Sequence, residues 1–470
     1  MALIIFVILF LSIIFLFLLK KNKISKRACF PPGPNGLPLI GNLHQLDSSN
    51  LQTQLWKLSQ KYGPLMSLKL GFKRTLVVSS AKMAEEVLKT HDLEFCSRPL
   101  LTGQQKFSYN GLDVAFSPYE DEVSHMIEKI SKAALASKPF NLTEGMLSLN
   151  VIPSAYPERI FISMFINGYS LLMFLFVFVN FLVAIIVLSD YFPYMGWVDR
   201  LTGLAHRLEK NFREFDVFYQ QIIDEHLDPE RPKPDHEDIL DVLLQIYKDR
   251  TFKVQLTLDH IKAILMNIFV GGTDTAAATV IWAMSLLMKN PEAMRKAQEE
   301  VRKVIADKGF VYEDDVQQLP YLKAVVKETM RLQPTAPLLV PRETTTECNI
   351  GGYEIPAKTL VYVNAWAIGR DTEVWENPYV FIPDRFLGSS IDLKGQDFEL
   401  IPFGAGRRIC PGIYMGIATV ELSLSNLLYK FDWEMPGGMK REDIDVVHTQ
   451  PGLAMHTRDA LCLNKRRSLI

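Results

Sequence analysis

Residues 402–412 read Pro-Phe-Gly-Ala-Gly-Arg-Arg-Ile-Cys-Pro-Gly and place Cys410 in a loop of glycine and proline beside Arg407 and Arg408. An apolar run from Ile413 to Leu428 follows at once and reads as a helix. A cysteine just before a helix N-terminus and next to guanidinium groups is biased toward thiolate, because neighbouring positive charge favours the ionised form. A thiolate held on a tight loop can ligate iron, and a cysteine-ligated haem pushes electron density onto the metal and favours O–O cleavage. The bland alternative is a small buried hydrophobe in a turn, the usual fate of a free cysteine.

The spacing separates the two. Phe403, Gly406, Arg408, Cys410 and Gly412 fit F-x-x-G-x-R-x-C-x-G at every fixed position. The loop therefore resembles the cysteine-ligand loop of the cytochrome P-450 family. That resemblance implies a mainly α fold with small β-sheets, haem b as cofactor, and Cys410 as the axial ligand of its iron. Phe403, Gly406, Arg408 and Gly412 would be cofactor-binding neighbours.

The elements that must serve this loop are legible upstream. Thr257 is a plausible N-cap for a helix from Leu258 to Lys289, ended by Asn290-Pro291. Such a helix is roughly 48 Å long. Only Asp274 is charged between Ala263 and Met288, so a membrane span is one reading of it. Gly271 and Gly272 sit at its centre, where each costs about 1 kcal/mol relative to Ala, which suggests that something else needs the space. Gly271-Gly272-Thr273-Asp274-Thr275 is similar to the family's oxygen-activating element, where the helix opens locally beside the iron. The resemblance implies that Thr275 hydrogen-bonds iron-bound dioxygen and relays protons, and that Asp274 links that site to solvent. Ala276 stands where the pattern has Thr or Ser.

Glu328 and Arg331 lie three apart on a helix expected from Tyr321 to Leu332, so their side chains share a face. A solvated ion pair has the same spacing. Pro383-Asp384-Arg385-Phe386 follows later and resembles the family's P-x-R-F element, which implies a buried structural network of Glu328, Arg331 and Arg385. Arg342, opening a strand-rich stretch through Pro356, matches a family position that binds a haem propionate, and Arg408 matches another. Arginine suits a carboxylate because its donors form a fixed fork. The nine histidines show no metal-ligand spacing.

The chain has 470 residues, 48% hydrophobic, with a net charge of -2, which implies no basic face for nucleic acid. Five scattered cysteines with no C-x-x-C pair argue against a disulfide framework. Ala2 to Leu19 is uncharged and apolar, and Lys20, Lys21, Lys23, Lys26 and Arg27 follow it. Residues 1–28 thus read as a signal anchor, with the domain at 29–470 on the cytosolic side of the endoplasmic reticulum membrane. Pro31, Pro32, Pro34 and Pro38 make a stiff extended hinge between them. Helices are expected over Leu51–Tyr62 and Ala81–Thr90, with strands Leu65–Leu70 and Thr75–Val78 around the turn Gly71-Phe72. Phe95-Cys96-Ser97-Arg98-Pro99 and Phe116-Ser117-Pro118-Tyr119 resemble the plant A-type group.

After Tyr119 the resemblance breaks until Ser189. The family's W-x-x-x-R helix, whose tryptophan and arginine bind a propionate, has no counterpart, since no tryptophan lies between Trp56 and Trp197. Residues 160–188 carry no charge and read either as a second membrane span or as a buried helix. Lost coding sequence after Tyr119 and foreign sequence before Ser189 would explain both features. Pro232–Glu237 reads as a charged connector, and Asn141-Leu142-Thr143 as a sequon that stays silent in the cytosol.

The resemblance implies a monooxygenase placing one oxygen atom of dioxygen into a small lipophilic plant metabolite. Electrons would come from NADPH through a membrane-bound cytochrome P-450 reductase, with membrane lipid as the other partner. The alternative is a non-catalytic, haem-deficient membrane protein from an altered gene or transcript. A peroxide-rearranging member is disfavoured by Thr275.

Overall fold

The computed structural model describes residues 30–47, 50–117, 188–231, 238–249, 255–450, 454–459 and 461–467, with the backbone alone at Leu188, Thr273 and 465–467. The expected anchor, the break after Tyr119, the sequon, the apolar run up to residue 187 and the connector at 232–237 lie outside these residues.

The N-terminal part is built on α1 (Leu51–Tyr62) and the hairpin β1 (Leu65–Leu70) and β2 (Lys73–Val78). Leu65 lies opposite Val78 and Leu70 opposite Lys73. The expected hairpin is two residues longer in its second strand. Gly71 makes its turn at φ +57°, a conformation that glycine adopts without strain. The proline-rich stretch has no regular secondary structure over 31–36 and enters a turn at Pro38, and it is docked rather than free: the Ser67 N–H donates to Pro32 O (2.9 Å) and the Ser67 hydroxyl to Pro31 O (2.7 Å). After α2 (Ala81–Glu85) the expected helix continues only as a wider π turn, Glu86–Thr90.

After α3 (Thr102–Phe107) and two short helices, Leu188–Tyr191 and Gly196–Leu201, come α4 (Leu204–Leu227), α5 (Ile239–Lys248) and α6 (Leu258–Lys289). α6 has the predicted bounds. The Thr257 hydroxyl accepts from the His260 N–H (3.3 Å) and the imidazole reaches back to the Thr257 N–H (3.2 Å), closing two of the orphan donors of the first turn. At the other end the Asn290 side chain donates to Leu286 O (2.7 Å), and Pro291 starts α7 (Pro291–Ile305). Although α6 is long and apolar enough to cross a membrane, it packs on α4, α5, α7, and on α8 (Pro320–Leu332) and α9 (Ile413–Lys430). α6 is thus a central helix of the domain.

Strands β3 (Arg342–Glu343), β4 (Cys348–Ile350), β5 (Tyr353–Ile355) and β6 (Leu360–Val363) follow α8. The main sheet has the order β1-β2-β6-β3, with β2 and β6 parallel and β3 antiparallel to β6. Among the described residues three small ribbons complete the strands: β4 with β5, β7 (Phe431–Glu434) with β10 (Asn464–Arg467), and β8 (Thr449–Gln450) with β9 (His456–Thr457). The fold is mainly α with small sheets, as the resemblance implied.

Apolar burial explains how these parts hold together. One core joins α6, α7, α8 and α9 through Leu287, Val301, Val325, Leu424 and Leu428. A second joins α4, α5 and the first half of α6 through Phe215, Tyr219, Leu243 and Ile261. A third packs Leu76, Val78, Leu88 and Val361 against Ile401 and Ala405, and so seats the loop before Cys410 on the sheet.

Candidate functional site

The cysteine loop is shaped by its backbone. The Cys410 N–H donates to Phe403 O (2.9 Å), which closes the loop across a single 3₁₀ turn, Gly406–Arg408. Gly404 and Gly406 have φ of +74° and +69°. A Cβ at Gly406 would lie 2.0 Å from Leu88 O, so the loop approaches the π turn too closely for any side chain. Gly406→Ala is therefore expected to destabilise by at least about 1–2 kcal/mol from the left-handed conformation alone, with the clash added. Urea unfolding and haem retention measure it, and an unshifted midpoint would refute the reading. Phe403 is half-buried and faces α9, where a Cβ at Gly416 would lie 3.6 Å from its ring.

The sulfur is not poised in the way its neighbours suggest. Burial pushes the Cys410 thiol above its ordinary value, and the Gly412 N–H pulls the other way. The two adjacent guanidiniums are engaged elsewhere. Arg407 pairs with Asp92 (2.7 Å), and Arg408 donates to the carbonyls of Cys96 (2.9 Å), Val114 (3.1 Å) and Ser117 (2.8 Å). The expected thiolate bias from the arginines is corrected on this point. What favours the anion is the backbone N–H of Gly412, the N-cap of α9, at the positive end of that helix.

The arginines converge with others on a separate task. Arg342, only 4% exposed, donates to Ala405 O (3.1 Å) and Phe95 O (3.5 Å). Arg98, 6% exposed, donates to the carbonyls of Ala115 (2.8 Å), Val340 (2.8 Å) and Pro341 (3.0 Å). Burial holds Arg98 well below the usual arginine range, and the charges of Arg342 and Arg408 add to the effect. Burial and the Arg408 charge push Arg342 down to about 10. Three mutually repelling guanidiniums in a low-dielectric site call for anions. A haem carries two carboxylates, and this donor set fits them. The structure thus brings Arg342 and Arg408 together and adds Arg98, which sequence reasoning quoted within a motif but gave no role. Its charge was visible; its burial beside two other arginines was not. Asp113, pushed up to about 6 mainly by burial, accepts from Asn267 of α6 (2.7 Å), and the Ala115 N–H donates to the same side chain (3.0 Å). These bonds tie the turn under the arginines to α6.

At the centre of α6 the backbone does not open. The helix is continuous through Gly271–Thr275, and the Thr275 hydroxyl donates to Gly271 O (2.6 Å). Back-bonding to the i−4 carbonyl gives the hydroxyl a local partner within an intact turn, which accounts for the difference from the implied local opening. A Cβ at Gly271 would meet no atom within 4 Å, so the glycine leaves open space on that side of the helix. Asp274 is held by His456, whose Nε2 lies 3.0 Å from one carboxylate oxygen and 3.1 Å from the other.

Glu328, Arg331 and Arg385 come together in the core. Glu328 is 0% and Arg331 1% exposed. Arg331 meets the Glu328 carboxylate through Nε (2.7 Å) and Nη2 (2.8 Å). Its remaining donors go to the carbonyls of Gly369, Pro378 and Val380. Glu328 also accepts from Arg385 Nε (3.2 Å) and the Ile382 N–H (2.8 Å), and Trp375 lies under both guanidiniums. All five guanidinium donors of Arg331 are used. The pair is therefore no solvated surface pair: it pins the 369–385 segment to α8.

Glu421, eight residues into α9 and only 8% exposed, is pushed up to about 7 by burial, against the opposing charges of Lys323 and Lys327. A raised carboxyl contributes stability below its unfolded value of 4.5 that is lost as pH rises through about 7. Glu421→Gln is expected to flatten the stability profile across that window and to stabilise the protein at pH 8 by up to about 3 kcal/mol. Urea melts at pH 5 and pH 8 check it; an unchanged difference between them would refute the assignment.

The cytochrome P-450 family profile matches residues 31–148 and 175–462. It leaves 149–174 unmatched, a narrower departure than the 119–189 stretch set aside from sequence. The chain is 49% identical over 475 residues to "5-OH-xanthotoxin synthase" of Pastinaca sativa, with 93% of each chain covered. It is 46% identical over 504 residues to "6,7,8-trihydroxycoumarin synthase" of the same plant, covering 97% of this chain and 96% of the relative. It is 43% identical over 477 residues to "2-methylbutanal oxime monooxygenase" of Manihot esculenta, covering 95% and 93%. With this likeness added to the cysteine loop, the guanidinium cluster and the Glu328 network, the chain belongs to the cytochrome P-450 family, as a haem-thiolate monooxygenase of plant type.

Proposed function

We propose that this chain oxygenates a small, lipophilic, largely aromatic plant metabolite at a haem held between α6 and the cysteine loop. When bound, the haem supplies the activation of dioxygen, with one oxygen atom going to the substrate and the other to water. The observation that carries the reading is the cluster of buried Arg98 and Arg342 with half-buried Arg408 beside the Cys410 loop. Those guanidiniums would bind and orient the propionates, and Cys410 would ligate the iron through its sulfur. The Glu328, Arg331 and Arg385 network keeps the loop's side of the core rigid. Asp274 would carry protons inward to the Thr275 hydroxyl, which would exchange its bond to Gly271 O for one toward the reacting oxygen.

The substrate class rests on the relatives, two of which are named as making hydroxylated coumarin-type products. Electrons come from NADPH through a membrane-bound reductase in this reading. The apolar run Ala2–Leu19 with its basic flank serves as an anchor in the endoplasmic reticulum. The reduced, carbon-monoxide-bound spectrum of the microsomal protein tests the site. A red-shifted Soret band is expected from thiolate ligation. A second reading, a haem-deficient product of an altered transcript, is favoured by the unmatched residues 149–174. A colourless protein would establish that reading and overturn the first.

A further inference from the structure

We propose that His456 is the positioning residue for Asp274: its imidazole, carried on the C-terminal hairpin, clamps both carboxylate oxygens and fixes their orientation on α6. The inference rests on the reading of Asp274 as the proton-carrying acid. It adds a residue that neither the spacing of motifs nor the guanidinium cluster points to, because His456 lies 182 residues from its partner.

The geometry is that of a bridging donor. Nε2 sits 3.0 Å from Oδ1 and 3.1 Å from Oδ2, so the ring nitrogen is centred on the carboxylate and not on one oxygen. The side chains are 21% and 14% exposed, and a pair this far out of water is screened less than a surface pair. The ribbon that carries the imidazole is itself held. Gln450 is opposite His456 in the β8–β9 register. Met455 O accepts from Trp282 Nε1 (2.7 Å), and the Met455 N–H donates to Thr335 O (2.7 Å). The Met455 sulfur accepts from Gln52 (3.6 Å). Trp282 lies eight residues after Asp274, two turns along one ridge of α6. The hairpin is therefore anchored to α6, α1 and the chain after α8 without His456. The histidine contact goes instead to the carboxylate adjoining Thr275. The other charged groups of the ribbon satisfy one another: Arg458 pairs with Asp445 (3.1 Å) and Asp459 (3.3 Å), and His448 with Asp445 (2.9 Å).

A carboxylate that must pass protons in one direction gains from being held in one rotamer, because proton transfer needs hydrogen-bond geometry first. Released from His456, Asp274 would swing between solvent and the helix, and delivery toward Thr275 would slow.

The test uses the full-length holoenzyme in membranes with reductase, and 7-ethoxycoumarin as the probe. His456→Ala is expected to lower NADPH-driven dealkylation about ten- to a hundred-fold, the usual effect of losing an orienting partner. The KM for the probe should change less than two-fold. Dealkylation driven by cumene hydroperoxide needs no protons delivered to dioxygen and should stay within two-fold of wild type. His456→Gln, whose amide N–H can reach the carboxylate, should regain most of the NADPH-driven rate. Hydrogen exchange gives a readout apart from turnover: because the hairpin is anchored without His456, the amides of 449–450 and 454–457 should exchange in His456→Ala at the wild-type rate, and faster exchange there would mark a structural pin and overturn the proposal. Equal losses by both oxidant routes would make His456 a mere structural pin and overturn the proposal. So would an Asp274→Ala variant that is impaired while His456→Ala is not. If Asp274→Ala keeps its NADPH-driven rate, the reading of Asp274 as the acid fails, whatever the exchange data say about the hairpin.

Discussion

Arg331→Ala is expected to yield a protein that does not incorporate haem. The substitution removes the partner of a carboxylate that is 0% exposed and strands the carbonyls of Gly369, Pro378 and Val380 that its guanidinium caps. Arg385 stays beside Glu328 at 3.2 Å, but through one nitrogen only. Breaking a buried pair by deleting one partner costs about 3–5 kcal/mol, against a total stability of about 5–15 kcal/mol for a domain. The loss falls on the 369–385 segment, which leads into the cysteine loop. Arg331→Lys should rescue little, because one ammonium cannot fill a five-donor fork. Replacing both partners, as in Glu328→Leu with Arg331→Met, should be less damaging than Arg331→Ala, since no unpaired charge is then buried. Haem per polypeptide, measured together with urea unfolding, decides the matter. Normal haem content in Arg331→Ala would sink the structural role, and a double variant worse than the single would sink the charge argument.

Cys410→Ser is expected to separate chemistry from folding. The cysteine is half-buried, its N–H bonds Phe403 O, and the Gly412 N–H that reaches its sulfur can bond a serine hydroxyl in its place. The exchange of thiol for hydroxyl should therefore cost only about 1 kcal/mol, and the backbone of 402–412 should stay as it is. The red-shifted Soret band of the reduced carbon-monoxide complex should vanish, because only sulfur donates in the required way. NADPH-driven oxygenation should be abolished with it. The spectrum of the variant beside its unfolding curve makes the comparison. A red-shifted band surviving in the serine variant would show that Cys410 is not the ligand. A variant that fails to fold would show that the thiol has a packing role, and haem binding by wild-type protein would then have to be tested by direct titration.

The sequence alone determined the elements and the order of the motifs. α6 has the bounds that Thr257 and Asn290-Pro291 dictated, because caps and breakers act within a few residues and are written locally. The same holds for α1 and β1, and the helix after Cys410 starts where expected and runs two residues further, to Lys430. The 271–275, 328–331, 385 and 403–412 motifs were legible because each depends on spacing along the chain. Local signals also misled where packing competed with them. Ala81–Thr90 widened into a π turn where Gly406 approaches Leu88, and the proline stretch lay down on β1 instead of standing off.

Only the tertiary structure decided the electrostatics. The arginines next to Cys410 in sequence turn away from the sulfur toward Asp92 and three carbonyls, so sequence adjacency assigned them the wrong anion. Arg98 joined Arg342 and Arg408 across more than two hundred residues of chain, and His456 found Asp274 across 182. The physical reason is one of range. Backbone preference is set by neighbours in sequence, whereas the energy of a charge is set by whatever surrounds it in space after the chain has folded.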